Sequence, residues 1–289
     1  MPKAFDWLKR AQAEKFAIGA FNGASMETFR AIVQAAAKLH SPVIIEASHG
    51  EVEFFGMHEM VAAVRALEAD FKVPVILNLD HAPDLESCLK ALEAGFDYVH
   101  FDGSKMPYEE NVKIAKIVVE AAHQKGIPVE GEMDHIGGSS ADHREDLASD
   151  FQQINAYTNA EHARQFAEET GIDTFASFVG NVHGLYGGSK NIDLGLLKKI
   201  RETIPDKFLS LHGGSGIPYE QITKAIDGGV VKINVNSELR VAYRDELKKT
   251  LNDPNQKDVA IYNLMPKTIE AVQEIVEEKI LLFGSAGKI

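Results

Sequence analysis

Residues 73–104 read VPVILNLDHAPDLESCLKALEAGFDYVHFDGS. A β-rich run, 74–81, ends in Asp80-His81. Leu85, Leu89 and Leu92 then recur at helical spacing, and Gly95 closes that segment just before a second β-rich run at 98–104. The same alternation extends in both directions, with further runs at 16–21, 42–48, 128–134, 174–179, 208–214 and 230–236, eight in all. Val112, Ala115, Val118, Val119 and Ala122, closed by Gly126, repeat the helical pattern between two of them. Several runs are almost wholly apolar (Val43-Ile44-Ile45, Val75-Ile76-Leu77, Val231-Lys232-Ile233), as expected of parallel strands covered by helices on one side and a barrel core on the other. Eightfold β/α alternation predicts a (β/α)8 barrel of the TIM type in the α/β class.

No Gly/Ser/Pro linker or low-complexity tract divides the 289 residues, so residues 1–289 are expected to form a single domain. The interval 134–155, with Gly137-Gly138-Ser139-Ser140 and many charges, breaks the rhythm and is expected to be a long mobile loop over the active face. Apolar residues make up 45% and charged residues 25%, which excludes a disordered chain. A formal charge of −13 repels nucleic acid and anionic lipid, so neither is an expected partner and any phosphate must be held locally. With one cysteine, Cys88, no apolar signal core at the N-terminus and no 18-residue apolar run, the expected location is the cytoplasm.

Catalytic groups of such barrels stand at the C-terminal strand ends, and here those ends are polar. They carry Asn22, Ser48-His49, Asp80-His81, Asp102, Glu130 and Glu132, Asn181 and His183, His212, and Asn234, Asn236 and Ser237. His81, His183 and His212 follow strands 3, 6 and 7. Three imidazoles from separate strands suit a catalytic zinc ion with one open position, although a lone strand-end histidine is as often a hydrogen-bonded core residue. Asp80 reads either as a base beside the metal or as a carboxylate that orients a ligand histidine. Asp102 and Glu132 read as a second metal position, or as a helix cap and a solvated charge. The remaining histidines, His100 among them, read as packing or solvated, with His49, His135 and His143 open to a role at the mouth. His212-Gly213-Gly214-Ser215-Gly216 and Asn234-Val235-Asn236-Ser237 follow strands 7 and 8, where barrels often hold phosphate on backbone N–H groups, with Ser215 and Ser237 adding hydroxyls.

These motifs, together with Gly19-Ala20-Phe21-Asn22, Phe101-Asp102-Gly103-Ser104, Val129-Glu130-Gly131-Glu132 and His183-Gly184-Leu185-Tyr186, resemble in order the class II fructose-bisphosphate and tagatose-bisphosphate aldolases. The resemblance runs to Leu282-Phe283-Gly284-Ser285-Ala286-Gly287. It implies that His81, His183 and His212 bind Zn2+, that Asp102 and Glu132 serve a displaced metal position, and that Asp80 is the catalytic acid/base. It also implies that Gly184, Gly213, Gly214, Ser215 and Asn234, Val235, Asn236 and Ser237 bind the phosphate end of a ketose, with Asn22 and Ser48 nearby. The implied reaction is reversible cleavage of a fructose or tagatose 1,6-bisphosphate to dihydroxyacetone phosphate and glyceraldehyde 3-phosphate. A homodimer or homotetramer and a monovalent cation at the phosphate site are implied as well. An aldolase for another ketose 1-phosphate and a non-catalytic barrel relative are the alternatives.

Three departures stand out. Ser140 occupies the loop position where the family has a glutamate, leaving Asp142, His143 or Glu145 as substitutes. Gly187-Gly188 follows Tyr186 where many members place a phosphate-contacting lysine, with Lys190 only a displaced candidate. Met133-Asp134-His135 replaces a more usual Leu-Gly pair.

Overall fold

Eight parallel strands close on themselves in the computed structural model, which describes residues 4–152 and 157–289. Among the described residues the ten strands in chain order are β1 (Ile18–Asn22), β2 (Val43–Ser48), β3 (Val75–Ala82), β4 (Tyr98–Asp102), β5 (Val129–Glu132), β6 (Gly138–His143), β7 (Thr174–Ala176), β8 (His183–Tyr186), β9 (Phe208–Leu211) and β10 (Val230–Val235). The barrel runs β1-β2-β3-β4-β5-β7-β9-β10 and returns to β1, and every one of those pairings is parallel. This is the predicted TIM barrel.

Local signals act where the sequence places them. Asp84 accepts from the Ser87 N–H at 2.8 Å to start helix Leu85–Ala94, and Gly95, at φ 103°, ends it in a left-handed conformation that costs a residue without Cβ little. Ser25 and Asp193 cap helices Met26–Leu39 and Leu194–Thr203 in the same way.

The period of two along each strand sorts the barrel interior into layers. At the N-terminal end lie Ile18, Ile44, Ile76, Tyr98 and Phe208, sealed by Trp7, Leu8 and Ala11 of helix Ala4–Glu14. The next layer is polar and wholly buried: Glu46, Asn78, His100, Glu130, Ser210 and Lys232. The third layer, at the C-terminal mouth, holds Asn22, Ser48, Asp80, Asp102, Glu132, His212 and Asn234. A larger apolar core fills the space between the outer strand faces and the helices.

Two expectations need revision. The sixth barrel strand stops at Ala176 rather than running to 179, and His183 lies beyond it, opening the separate strand β8. Within 134–155, β6 pairs in parallel with β8 and Ala148–Gln152 is helical, so the backbone donors of this stretch are partly satisfied by a two-stranded sheet laid over the mouth. Residues 153–155 of the predicted loop lie outside the described residues.

Candidate active site

β3 delivers two neighbours to one cavity. In a regular strand Asp80 and His81 would face opposite sides, but His81 adopts φ 49° and the β3–β4 register breaks between Leu79 and Ala82. Both side chains therefore line the same cavity of about 230 Å3. A left-handed histidine is strained backbone, and it leaves the His81 backbone nitrogen 3.2 Å from His100 Nδ1.

Each of the three histidines has one ring nitrogen committed to an acceptor. His81 Nδ1 donates to Asp102 Oδ2 at 2.8 Å, His212 Nε2 to Glu130 Oε1 at 2.7 Å, and His183 Nδ1 to the Ile136 carbonyl at 3.3 Å. Carboxylates and carbonyls only accept, so these nitrogens carry the protons and the opposite ones carry lone pairs. His81 Nε2 and His212 Nδ1 then face each other at 3.2 Å. Two lone pairs so placed repel unless a cation or a proton lies with them, and two nitrogens on one tetrahedral zinc stand roughly 3.3 Å apart. The His183 ring centroid is 5.1 Å from that of His81 and 6.0 Å from that of His212.

Among the described residues, one ligand atom from each of Asp80, His81, His100 and His212 lies within 4.8 Å of the others, and the same holds for His81, Asp102 and Glu132. His183 stands at the edge of the first. The charges separate the roles of His183 and His100. Burial, then His81 and His212, hold His183 well below the usual imidazole range, and burial takes His212 down to about 4 against the pull of Glu130. Both are neutral, as a ligand must be. For His100 burial also disfavours the cation, but Glu130, Asp80 and Glu132 outweigh it and hold the ring protonated. Its nitrogens face Asp80 Oδ1 and Glu132 Oε2, both at 3.4 Å. For His81 burial is likewise outweighed, by Asp80 and Asp102, which lift it to about 9, so without a metal a proton fills the gap beside His212.

Asp80 is nearly buried. Its Oδ2 accepts from Asn22 Nδ2 at 3.2 Å and its Oδ1 from Asn234 Nδ2 at 3.3 Å. Burial raises its pKa, but His81, His100, His212 and Lys232 more than reverse this and keep it ionised. Below it, Lys232 Nζ bonds Glu130 Oε2 at 2.9 Å and lies 3.3 Å from Glu46 Oε2, so the polar layer braces the carboxylate that holds His212.

Of the expected phosphate residues, Gly184, Gly213, Ser215, Asn234, Asn236 and Ser237 line the cavity, as do Asn22 and Ser48. Gly213 (φ 60°) could carry no side chain, since a Cβ would meet the Val182 carbonyl oxygen at 2.4 Å. Ser237 begins helix Ser237–Leu251 and so offers backbone N–H groups and the positive end of the helix to an anion. Gly214 and Val235 do not line the cavity: the Gly214 N–H bonds the Asn234 carbonyl at 2.9 Å, and Val235 packs in the outer core. Asp102 lines an adjoining cavity of about 330 Å3, which shares His81, His183 and Ser140 with the first. Glu132 is buried and lines neither.

Ser140 reaches both cavities, but none of its suggested acidic substitutes does. Asp142 is paired with Arg144 at 2.8 Å and Arg244 at 2.9 Å, and His143 bonds Ser139 and Asp146 while stacked on Tyr186. Glu145 is exposed.

Sequence reasoning passed over His100 and Arg240. His100 alternates with Tyr98 and Asp102 along β4, so the period of two already put it on the inner face. Arg240, a guanidinium among the lining residues, lies one turn beyond Ser237 and bonds Glu51 at 2.7 Å.

The model of the family described as fructose-bisphosphate aldolase class-II matches residues 3–288. A sulfofructosephosphate aldolase from Alkalicoccus urumqiensis is 36% identical over 282 residues, covering 97% of this chain and 96% of that protein. Among solved structures, the YdjI aldolase from Escherichia coli K12 superposes with a TM-score of 0.83 at 29% identity, covering 99% of this chain and 98% of the other. The fructose-bisphosphate aldolase from Campylobacter jejuni, at 23% identity, a TM-score of 0.81 and coverage of 99% and 95%, attests to the fold alone.

Proposed function

The chain belongs to the class II fructose-bisphosphate aldolase family and is a carbon–carbon lyase; from that premise we propose that it cleaves a ketose 1,6-bisphosphate, fructose or tagatose, reversibly to dihydroxyacetone phosphate and glyceraldehyde 3-phosphate. The observation that carries the metal-dependent reading is the facing pair His81 Nε2 and His212 Nδ1, each made a lone-pair donor by a carboxylate on the far side of its ring. His81, His183 and His212, whose rings converge, would hold a divalent ion, zinc by the chemistry of the donors, with Asp102 and Glu132 beside His81 available for a second position. Bound there, the ion supplies Lewis-acid polarisation of the ketose carbonyl.

The remaining steps belong to side chains. Asp80 takes the proton of the C4 hydroxyl as the C3–C4 bond breaks, which releases the aldehyde and leaves the bonding pair on the dihydroxyacetone phosphate half. In condensation it returns that proton to the aldehyde oxygen. Asn22 and Asn234 fix its two oxygens. Gly184, Gly213, Ser215 and the start of helix Ser237–Leu251 receive the C1 phosphate. Arg240 offers a guanidinium to an anion at the far end of the sugar.

A second reading keeps the mechanism and changes that far anion. The Alkalicoccus relative is named for a sulfofructose phosphate, and a guanidinium can donate to the three oxygens of a sulfonate as it does to those of a phosphate. Self-association is the expected assembly, supported by exposed Leu251, Val259, Ile261 and Tyr262. No helix among the described residues is long and apolar enough to cross a membrane.

The test is a cleavage assay of purified protein on fructose and tagatose 1,6-bisphosphates, fructose 1-phosphate and 6-sulfofructose 1-phosphate, with and without chelator and added zinc. Turnover of a bisphosphate that stops on chelation and returns with zinc is expected. Turnover of the sulfonate alone favours the second reading, and cleavage surviving exhaustive chelation overturns the metal-dependent mechanism.

A further inference from the structure

Lys190 is wholly buried behind the phosphate cradle. Its Nζ donates to the Val182 carbonyl at 2.7 Å and to the Gly213 carbonyl at 2.9 Å, and stands 5.6 Å from the centre of the Tyr186 ring. The two carbonyls belong to the residues just before His183 and just after His212. The close approach of Gly213 to Val182 brings these two backbone segments together, and the ammonium joins them. The Lys190 stem also runs under the turn, with Cε 3.9 Å from where a Cβ on Gly216 would lie.

Converging backbone carbonyls beside an anion site are the hard oxygen donors that an alkali cation takes up. Here those oxygens are already occupied by an ammonium that is part of the chain. The donor set therefore does not fit the monovalent cation that the family resemblance implied. We propose that Lys190 is a built-in monovalent cation: its ammonium ties the Val182 and Gly213 carbonyls together, shapes the cradle and supplies the positive charge beneath the bound phosphate, so that phosphate binding needs no sodium or potassium. Burial draws the Lys190 pKa down to about 7, and a phosphate in the adjoining cradle is the counter-charge that would favour its protonated form. This role differs from a lysine touching the phosphate directly, because Lys190 does not line the cavity. It rests on the reading of Gly184, Gly213, Ser215 and Ser237 as the phosphate cradle.

The test is calorimetric titration of zinc-loaded enzyme with dihydroxyacetone phosphate in choline, sodium or potassium chloride at equal ionic strength. Wild-type affinity is expected to agree within about twofold across the three salts. Lys190→Ala is expected to lose roughly tenfold or more in choline, the scale of a lost charge-assisted hydrogen bond, and to recover in potassium or methylammonium chloride as the free cation enters the vacated site. Wild-type binding that strengthens tenfold with potassium over choline overturns the proposal without any variant having to fold. So does a folded Lys190→Ala that binds as tightly as wild type in choline. If wild type binds dihydroxyacetone phosphate in none of the salts, the cradle reading falls and takes this proposal with it, whereas salt-dependent binding removes the built-in cation alone.

Discussion

Glu130 Oε1 accepts the His212 Nε2 proton at 2.7 Å from one layer below the mouth, and its other oxygen is bonded by Lys232 at 2.9 Å. The carboxylate thus fixes which nitrogen of His212 is left for a metal. Such orienting partners typically contribute 10–100-fold in metal affinity, which places Glu130→Gln at a loss of about that size. Zinc titration against a competing chelator measures it, and an unchanged dissociation constant would show that the His212 tautomer is set by something else.

Asp80 touches the cavity and is held by two asparagines, yet in the proposed reading it is not one of the metal's ligands. Asp80→Ala should lower kcat by on the order of 10²–10⁴ while leaving zinc content unchanged. Turnover at the wild-type rate would sink the assignment of the base.

Ser140 lines the cavity at the position where a loop glutamate is expected, and the nearby Asp142 is locked to two arginines. Return of a proton to C3 is therefore expected to be the slow half of this enzyme's cycle. Ser140→Glu should raise the rate of solvent hydrogen exchange into dihydroxyacetone phosphate by about tenfold or more, the low end of what a positioned acid contributes being roughly 10²-fold. Exchange followed by NMR checks this, and a variant no faster than wild type would mean that another group already does the work.

Lys232 is a buried cation facing Glu46 and Glu130. Removing one partner of such a set strands the others, so Lys232→Met should cost about 3–5 kcal/mol in urea unfolding. Burial, with Asp80, already raises Glu46 to about 8 despite Lys232, so Glu46 protonates most readily once the lysine is gone. Glu130, held ionised by its basic neighbours, is then the stranded charge, so adding Glu130→Gln to Lys232→Met should recover part of the loss and adding Glu46→Gln should recover little. Recovery with Glu46→Gln alone would mean that Glu46 carries the penalty.

The barrel and most strand ends were legible in the sequence because apolar alternation and glycine closures are local signals, read within one strand or one helix at a time. The pairing of Asp80 with His81 in one cavity was anticipated in outline, since a chain can turn at a strand end, but the φ of 49° that does it has no sequence mark. His100 reads as packing or solvated and Lys232 carries no role in the sequence reading, although each shares a face with a site residue two positions on. A period of two tells which side chains share a face and says nothing of which carboxylate waits across the barrel. His183 was assigned to the end of a strand that stops at Ala176, and its place beside His81 depends on the pairing of β6 with β8. By itself, then, the sequence determined the eightfold barrel and the inventory of polar groups at its mouth. Tertiary structure alone decided which nitrogen of each histidine carries the proton, which acids are paired away and where the Lys190 ammonium sits. Those outcomes rest on contacts between residues far apart in the chain, such as the 82-residue separation of Glu130 and His212, and only closure of the barrel brings such partners within a hydrogen bond.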